Sequence, residues 1–573
     1  MTVEKKLTAL ECKFAIHIPS KTYDGDDYHY VKENRYYDDG TFEPAVRLIK
    51  NYQRSFYITR PNKRNHQDKK EWEHIDNLLE KRCTQSQLRD EVAKALGLRW
   101  SKDPLKKLQT SPYIYGTDIT ASSLIKHEYM TKWPNNLSAY SVAFLDIETD
   151  VIHGTNDPIM ATITFKNKLI FSVTKSFVQG ISNIEELYRK AVRKYIGEYI
   201  DKHNIQIEFY LADSPVDLIR KCFERIHEWK PDFLAIWNMD FDIPRIIDTL
   251  VKYDVDPIDV LPDPNLPRDL RICKYKQGPK KKVTASGKVI PINPAAQWHT
   301  LELTASFYVI DSMCSYKFIR LSEQEETSYA LDAILDKILG IRKLKFEAAD
   351  QYTKLKWHQV MQTEFKIEYM VYNNFDSISM IELEDKLKDL SFTLPSFSAT
   401  TDFWNFKSQP KKIADALYFY CKERGYILGC VGHDYQKKDI VVINAEEAGE
   451  GDSDEPDDQT LDLKNWIVTL KSHMSILGLP LILEDDSILT NIRAFVYDSD
   501  CVSAYPSATS VANVSKGTTL REIILIGNIP ETVFRMQNLN FILGEINAVE
   551  YCQTMFKLPT PEKLLQEFMD ERV

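Results

Sequence analysis

Phe144-Leu145-Asp146-Ile147-Glu148-Thr149 sets two carboxylates one residue apart behind an apolar run. Successive side chains of a strand alternate between its faces, so both acids would point the same way. Two acids on one face can share a cation. Downstream, Phe233-Leu234-Ala235-Ile236-Trp237-Asn238-Met239-Asp240-Phe241-Asp242-Ile243-Pro244 reads as a buried strand breaking into a turn, with Asp242 just ahead of a proline expected to open the next helix. Further on, Tyr372-Asn373-Asn374-Phe375-Asp376 lies in a periodic stretch, about 365–387, where a spacing of four puts Tyr372 and Asp376 on one helix face. The order along the chain is Asp-x-Glu, then Asp, then Tyr-x-x-x-Asp.

Each motif alone has a plainer reading. Asp-x-Glu on a strand suits a solvated edge, Asp242 suits a helix N-cap, and Tyr372 with Asp376 suits an exposed helix pair. Their order and spacing, with a further motif behind them, favour a shared site. The set resembles the three exonuclease motifs of the DEDDy 3′–5′ exonucleases, in the form carried by family B DNA polymerases. That resemblance implies a two-metal centre, in which Mg²⁺ or Mn²⁺ ions roughly 4 Å apart serve the attacking water and the leaving 3′-oxygen, with carboxylates as oxygen ligands. It further implies direct metal ligation by Asp146, Glu148 and Asp376, contact of Asp242 with the outer metal through water, and positioning of the attacking water by Tyr372. The sequence departs from the family in its second motif: two residues separate Asn238 from Phe241 where three are usual. Asp242 is the better match, and Asp240 is the alternative if the turn is re-registered.

The further motif is Asp500-Cys501-Val502-Ser503-Ala504-Tyr505-Pro506-Ser507. It resembles the first catalytic palm motif of the same polymerases, Asp-x-x-Ser-Leu-Tyr-Pro-Ser. By that resemblance Asp500 binds catalytic Mg²⁺, the backbone around Ser503 and Ala504 holds the incoming triphosphate, and Tyr505 packs against its sugar to exclude a 2′-hydroxyl. Ala504 stands where the family has Leu, which removes packing volume beside the nucleotide. The family's fingers motif, Lys-x-x-x-Asn-Ser-x-Tyr-Gly, and its second palm motif, Tyr-x-Asp-Thr-Asp, have no match between Met1 and Val573. Gly451-Asp452-Ser453-Asp454 copies the second palm motif only superficially, since its neighbours are Gly, Glu and Pro rather than apolar strand residues. Tyr497-Asp498-Ser499-Asp500 belongs to the first motif. The expectation is an N-terminal subunit of a split, tailed-phage-type (myovirus) polymerase. A second polypeptide would bring fingers, the remaining palm and thumb, and would cover an otherwise open strand edge.

Composition agrees with a globular chain. Of 573 residues, 43% are hydrophobic and 27% charged, and no apolar run is long enough to span a bilayer. The N-terminus lacks a secretory core, and nine cysteines without a Cys-x-x-Cys pair favour reduced thiols and no zinc. The resemblance places such a protein in the cytoplasm of an infected bacterial host. A net charge of −11 does not exclude DNA binding, because affinity follows local basic tracks. The most basic segment, 268–290, includes Lys280, Lys281, Lys282 and Lys288, and its second half alternates like a hairpin about Gly287. In the polymerases it resembles, a hairpin there helps to separate primer from template. A solvated lysine-rich loop is the alternative.

The organisation expected is α/β and multidomain: a mixed α+β N-terminal domain, 1–137; a ribonuclease H-like 3′–5′ exonuclease domain, 138–390; a connecting segment, 391–485; and an incomplete palm, 486–573. The N-terminal domain should hold short aromatic strands such as 54–59 and a charged helical stretch near 70–96. Helices are expected at 185–203, 215–229 and 411–424, and at 328–340 with Ser328 as N-cap and Gly340 at the end. The run Glu446 to Asp458 is too acidic to bury a core and is expected as a mobile loop. Implied partners are primer-template and single-stranded DNA, deoxynucleoside triphosphates with the second chain, and a sliding clamp as a further candidate. Two other functions stay open: a stand-alone exonuclease with a vestigial palm, and a non-catalytic DNA-binding scaffold subunit.

Overall fold

The computed structural model of the chain describes residues 5–430, apart from 67–69, 71, 99–101, 136–137, 284–287, 322–323, 350 and 396–408. These residues belong to one compact unit, Met1–Gln436. The acidic run 446–458 and the motif at Asp500, Ser503, Ala504 and Tyr505 lie outside the described residues.

The chain starts with a three-stranded antiparallel sheet, β1 (Leu7–Ile18), β2 (Tyr28–Tyr37) and β3 (Phe42–Lys50). A second sheet holds β4 (Arg54–Thr59); β5 (Trp72–His74) stands apart from it, while β6 (Leu78–Cys83) pairs with β4 along its whole length. The charged helix expected over 70–96 is therefore confined to α1 (Leu88–Ala95). Pairing of Leu78 through Cys83 with β4, which buries both end residues, outweighs the helical composition of the segment. After α2 (Leu105–Leu108), β7 (Ile114–Tyr115) closes this sheet on the other edge of β4, and α3 (Ala121–Lys132) packs on β1.

The central layer is a six-stranded mixed sheet. β8 (Val142–Thr149), β9 (Pro158–Phe165) and β10 (Lys168–Thr174) form an antiparallel meander, and α4 (Ile184–Lys202) leads to β11 (Gln206–Ala212), parallel to β10 at one edge. Then α5 (Pro215–Trp229) leads to β12 (Phe233–Ile236), which returns to the free side of β8 and runs parallel to it. α6 (Met239–Lys252) follows. A side excursion holds β13 (Cys273–Lys276), the two-stranded ribbon β14 (Lys281–Val283) with β15 (Val289–Pro291), and β16 (Thr300–Leu303), which pairs with β13. β17 (Tyr308–Asp311) completes the sheet in the order β11-β10-β9-β8-β12-β17.

Both faces of this sheet are covered. Leu145, Ile147, Ile163 and Phe165 pack against α5 and α6, whereas Met160, Leu169, Phe171 and Val173 pack against α4 and the long helix α10. Before α10 come α7 (Ser312–Ile319), α8 (Leu331–Leu339) and α9 (Lys354–Thr363); α10 itself spans Lys366–Leu387. α8 differs from expectation at its start. Ala330 is the N-cap and makes no side-chain cap, while the Ser328 hydroxyl accepts from Ala330 N–H in the turn just before it. Gly340 ends α8 in the left-handed region, φ 70°, as expected. Last come α11 (Gln409–Glu423) and β18 (Tyr426–Leu428), and β18 pairs with β5 back in the N-terminal part. No helix of the described residues is long and apolar enough to cross a membrane.

The N-terminal sheet is fixed to the central layer by buried polar contacts. Lys13 Nζ pairs with Glu11 at 2.6 Å and donates to the Ser138 carbonyl at 2.7 Å, and the Tyr140 hydroxyl donates to the Lys13 carbonyl at 2.9 Å. Lys32 Nζ donates to the Lys230 carbonyl at 2.7 Å, and the Tyr30 hydroxyl to Asp263 at 2.8 Å.

Candidate metal centre

β8 alternates as its sequence demands. Leu145 and Ile147 enter the core beneath α5 and α6, so Asp146 and Glu148 must face α10. On α10, Tyr369, Tyr372, Asn373 and Asp376 recur at i, i+3, i+4 and i+7, and all are buried. That spacing makes a polar stripe on one side of the helix. Strand and helix together bring one carboxylate oxygen each of Asp146, Glu148 and Asp376 to within 4.8 Å of one another.

One oxygen of each carboxylate is held by a donor. Asn373 Nδ2 donates to Asp146 Oδ2 at 2.6 Å, the Tyr369 hydroxyl donates to Glu148 Oε2, and Lys343 Nζ donates to Asp376 Oδ2 at 2.5 Å. Asp376 Oδ1 is buried and has no hydrogen-bond partner. An unsatisfied buried carboxylate oxygen is costly, so it marks a place where a cation fits. The donor set is all oxygen, which suits a hard divalent cation such as Mg²⁺ or Mn²⁺.

The electrostatics carry the same signature. Burial, then the charges of Asp376, Asp242 and Glu148, push the Asp146 pKa well above its ordinary value. Glu148 is pushed up to about 7 by burial and Asp376, against the pull of the Tyr369 hydrogen bond. Asp376 is raised by burial despite Lys343. Lys343 is raised well above the usual lysine range, because the attraction of Asp376, Tyr372 and Asp146 outweighs its own burial. Buried acids crowded beyond the charge of one lysine lack positive charge, and a cation supplies it.

Asp242 enters from α6 and is 5% exposed. Burial and Glu148 raise its pKa, while backbone N–H groups of Ile147 and Asp242 partly offset that. It lies beside the trio without joining it. The expectation that Pro244 opens the helix is corrected: α6 begins at Met239 and Pro244 is inside it. Asn238 caps that earlier start, its carbonyl accepting from the N–H groups of Phe241 and Asp242, so the proline forfeits only one intrahelical bond near the first turn. This start also separates the two aspartates. Asp240 turns away, to Gln277 at 2.6 Å and to Lys280 at 2.9 Å, so it is not the acid near Glu148.

Tyr372 sits against the trio. Its hydroxyl accepts from Lys343 Nζ at 3.1 Å, its ring lies 4.9 Å from that of Trp357, and it stacks on Tyr369 with 6.0 Å between centroids. Of the lysines expected to bind DNA, Lys281 and Lys282 are exposed on the ribbon, Lys280 pairs with Asp240 at its base, and Lys288 stands just before β15. Sequence reading missed Lys343, Tyr369, Asn373 and His358. The polar stripe of α10 would have revealed Tyr369 and Asn373. Lys343 lies in an irregular stretch after α8, where no period marks it.

No protein-family model matches this chain, and no curated protein matches it.

Proposed function

We propose that this chain is a divalent-metal-dependent 3′–5′ exonuclease acting on DNA, with a ribonuclease H-like fold, as the proofreading part of a family B DNA polymerase. The observation that carries this reading is the trio Asp146, Glu148 and Asp376, with ligand oxygens within 4.8 Å and a buried oxygen of Asp376 left without a partner. The connectivity of the sheet supports the fold: an antiparallel meander whose first strand, β8, is flanked on its other side by the parallel strands β12 and β17. The acids then occupy the central strand and the helix crossing it.

Asp146, Glu148 and Asp376 would hold the metal directly, with Asp242 reaching it through water. Bound there, divalent metal supplies Lewis acidity and an activated water for phosphodiester hydrolysis. The remaining work falls to this chain's own groups. Tyr372, clamped between Trp357, Tyr369 and Lys343, has its hydroxyl fixed and orients the attacking water. Lys343 brings a permanent positive charge to the place where negative charge builds on the phosphate. Lys281 and Lys282 offer a basic ribbon to the DNA backbone.

The test is a 5′-labelled primer annealed to template, with Mg²⁺, with and without deoxynucleotides, using wild type and the Asp146→Ala, Glu148→Ala double variant. Shortening by wild type alone supports the reading, and equal shortening by both refutes it. The motif at Asp500 predicts primer extension when a chain carrying the second palm aspartate is added. An Asp500→Ala change that left this extension intact would favour the stand-alone exonuclease.

A further inference from the structure

The three carboxylates of the trio are anchored alike but by different chemistry. Tyr369 is the centre of the most elaborate anchor. Its hydroxyl has a single hydrogen, which goes to Glu148 Oε2. The same oxygen lies 2.9 Å from His358 Nδ1 and 3.4 Å from Gln362 Nε2. With its hydrogen committed, the hydroxyl must accept from both, which fixes His358 as the Nδ1–H tautomer. Gln362 is itself held by donating to the Thr149 carbonyl at 2.8 Å and accepting from Val151 N–H at 3.2 Å. Asn373 is held likewise: its Oδ1 accepts from the Thr162 hydroxyl at 2.6 Å, so its amide is oriented to donate to Asp146. Thr162 lies on β9, next to β8, so strand and helix are tied by the same bonds that aim the acids.

The consequence is one committed and one remaining oxygen on each acid. Among the described residues, Asp146 Oδ1, Glu148 Oε1 and Asp376 Oδ1 accept no hydrogen bond. Carboxylates so held offer a cation one oxygen apiece. Mg²⁺ and Mn²⁺ accept such monodentate, near-octahedral sets at about 2.0–2.2 Å, whereas Ca²⁺ takes 6–8 oxygens and favours carboxylates free to turn bidentate.

Resting on the exonuclease reading above, we propose that Tyr369, backed by His358, and Asn373 are positioning residues that confine Glu148 and Asp146 to one free oxygen each, and thereby set the preference of the centre for a small octahedral cation over Ca²⁺. Neither residue touches substrate; each acts through the carboxylate it holds. The neutral, donating state of His358 is consistent with its pKa, which burial and Lys343 bring down to about 4.

The experiment is calorimetric titration of the full chain with Mn²⁺ and separately with Ca²⁺, with metal-free thermal unfolding as the folding control. Tyr369→Phe keeps the ring stack and removes the hydroxyl, which is the donor to Glu148 and the acceptor for His358 and Gln362. Asn373→Leu keeps the volume, and His358→Asn keeps an N–H near the position of Nδ1. Tyr369→Phe and Asn373→Leu are expected to weaken Mn²⁺ binding about 10-fold or more, and to weaken Ca²⁺ binding less, so that the Ca²⁺/Mn²⁺ discrimination narrows. His358→Asn should retain wild-type values and His358→Ala should follow Tyr369→Phe. If wild type binds Mn²⁺, Asp376→Asn abolishes it, and both Tyr369→Phe and Asn373→Leu match wild type for both ions, this inference fails while the metal-centre reading stands. If wild type binds no Mn²⁺, the reading beneath it fails, and this inference with it. Should Asn373→Leu unfold early, Tyr369→Phe and the His358 pair decide alone.

Discussion

Glu148 carries a proton over a pH range in which an ordinary glutamate does not. Its folded pKa is raised to about 7 from 4.5, so between those values the metal-free folded protein binds more protons than the unfolded chain. Stability from this group is present below 4.5 and is lost as pH rises towards 7. Denaturant unfolding of the metal-free protein should show wild type losing up to about 3 kcal/mol relative to Glu148→Gln across that window. A difference independent of pH would contradict the burial argument. Excess divalent metal should remove the effect, since the ion favours the ionised carboxylates. Lys343 is the other residue with a sharp expectation. Lys343→Met should lower kcat for primer shortening by about 10²–10³-fold, with metal affinity changed far less, if its charge serves the reacting phosphate. Kinetics with Mn²⁺ titrated to saturation separate the two. At this scale the acids were legible, because Asp-x-Glu on a strand and Tyr-x-x-x-Asp on a helix each have a period that fixes their face. Lys343 was not legible, since it reaches Asp376 across 33 residues from a segment without regular structure.

Elements repeat the lesson with turns and caps. The strand at Arg54–Thr59 and the helix at Pro215–Trp229 fall where they are expected, and the structure adds Ser214, which accepts from Asp217 N–H as a side-chain cap. β6 is strand rather than helix because its pairing partner β4, some 24 residues upstream in sequence, decides its state, and β5 because β18, far downstream, pairs with it; local composition decides neither. α6 starts earlier than expected for a related reason: Asn238 accepts from the first-turn N–H groups of Phe241 and Asp242, and Pro244, just past that turn, costs one intrahelical bond. Gly340 offers the clean test at this scale. It holds φ 70° with open space where a side chain would go, so Gly340→Ala meets backbone strain and no clash. Urea unfolding should show a loss of about 1 kcal/mol as a lower midpoint at unchanged slope. The change also perturbs the path from α8 to Lys343, whose backbone N–H donates to Asp332 at 2.8 Å, so on the proposed function a lower rate of primer shortening is expected with it.

In the whole molecule, the N-terminal sheet and the central sheet cohere through charges taken out of water. Glu11 is kept below its ordinary pKa even though burial opposes this, because Lys13 and Ser138 hold its carboxylate. Lys13→Ala would strand that carboxylate, and thermal or denaturant unfolding should register about 3–5 kcal/mol of destabilisation. The Glu11→Gln, Lys13→Met double change removes both charges and should cost far less; equal losses would mean that packing, not charge pairing, joins the sheets. None of these contacts was legible beforehand. Glu11 and Ser138 are 127 residues apart, and the return of β18 to β5 spans still more chain, so neither leaves a local pattern.

α10 concentrates Tyr369, Tyr372, Asn373 and Asp376 within eight consecutive residues. A helix turns about 100° per residue, so losing or gaining one residue between Met370 and Phe375 would swing one end of that set away from β8 while leaving every side chain in existence. Single substitutions there can be graded and compensated; a shift of the reading register cannot. The stretch is therefore a fixed-length module, buried at every position and closed to insertion or deletion. A library of one-residue indels across 366–387 should return no active member whose change lies between Tyr369 and Asp376.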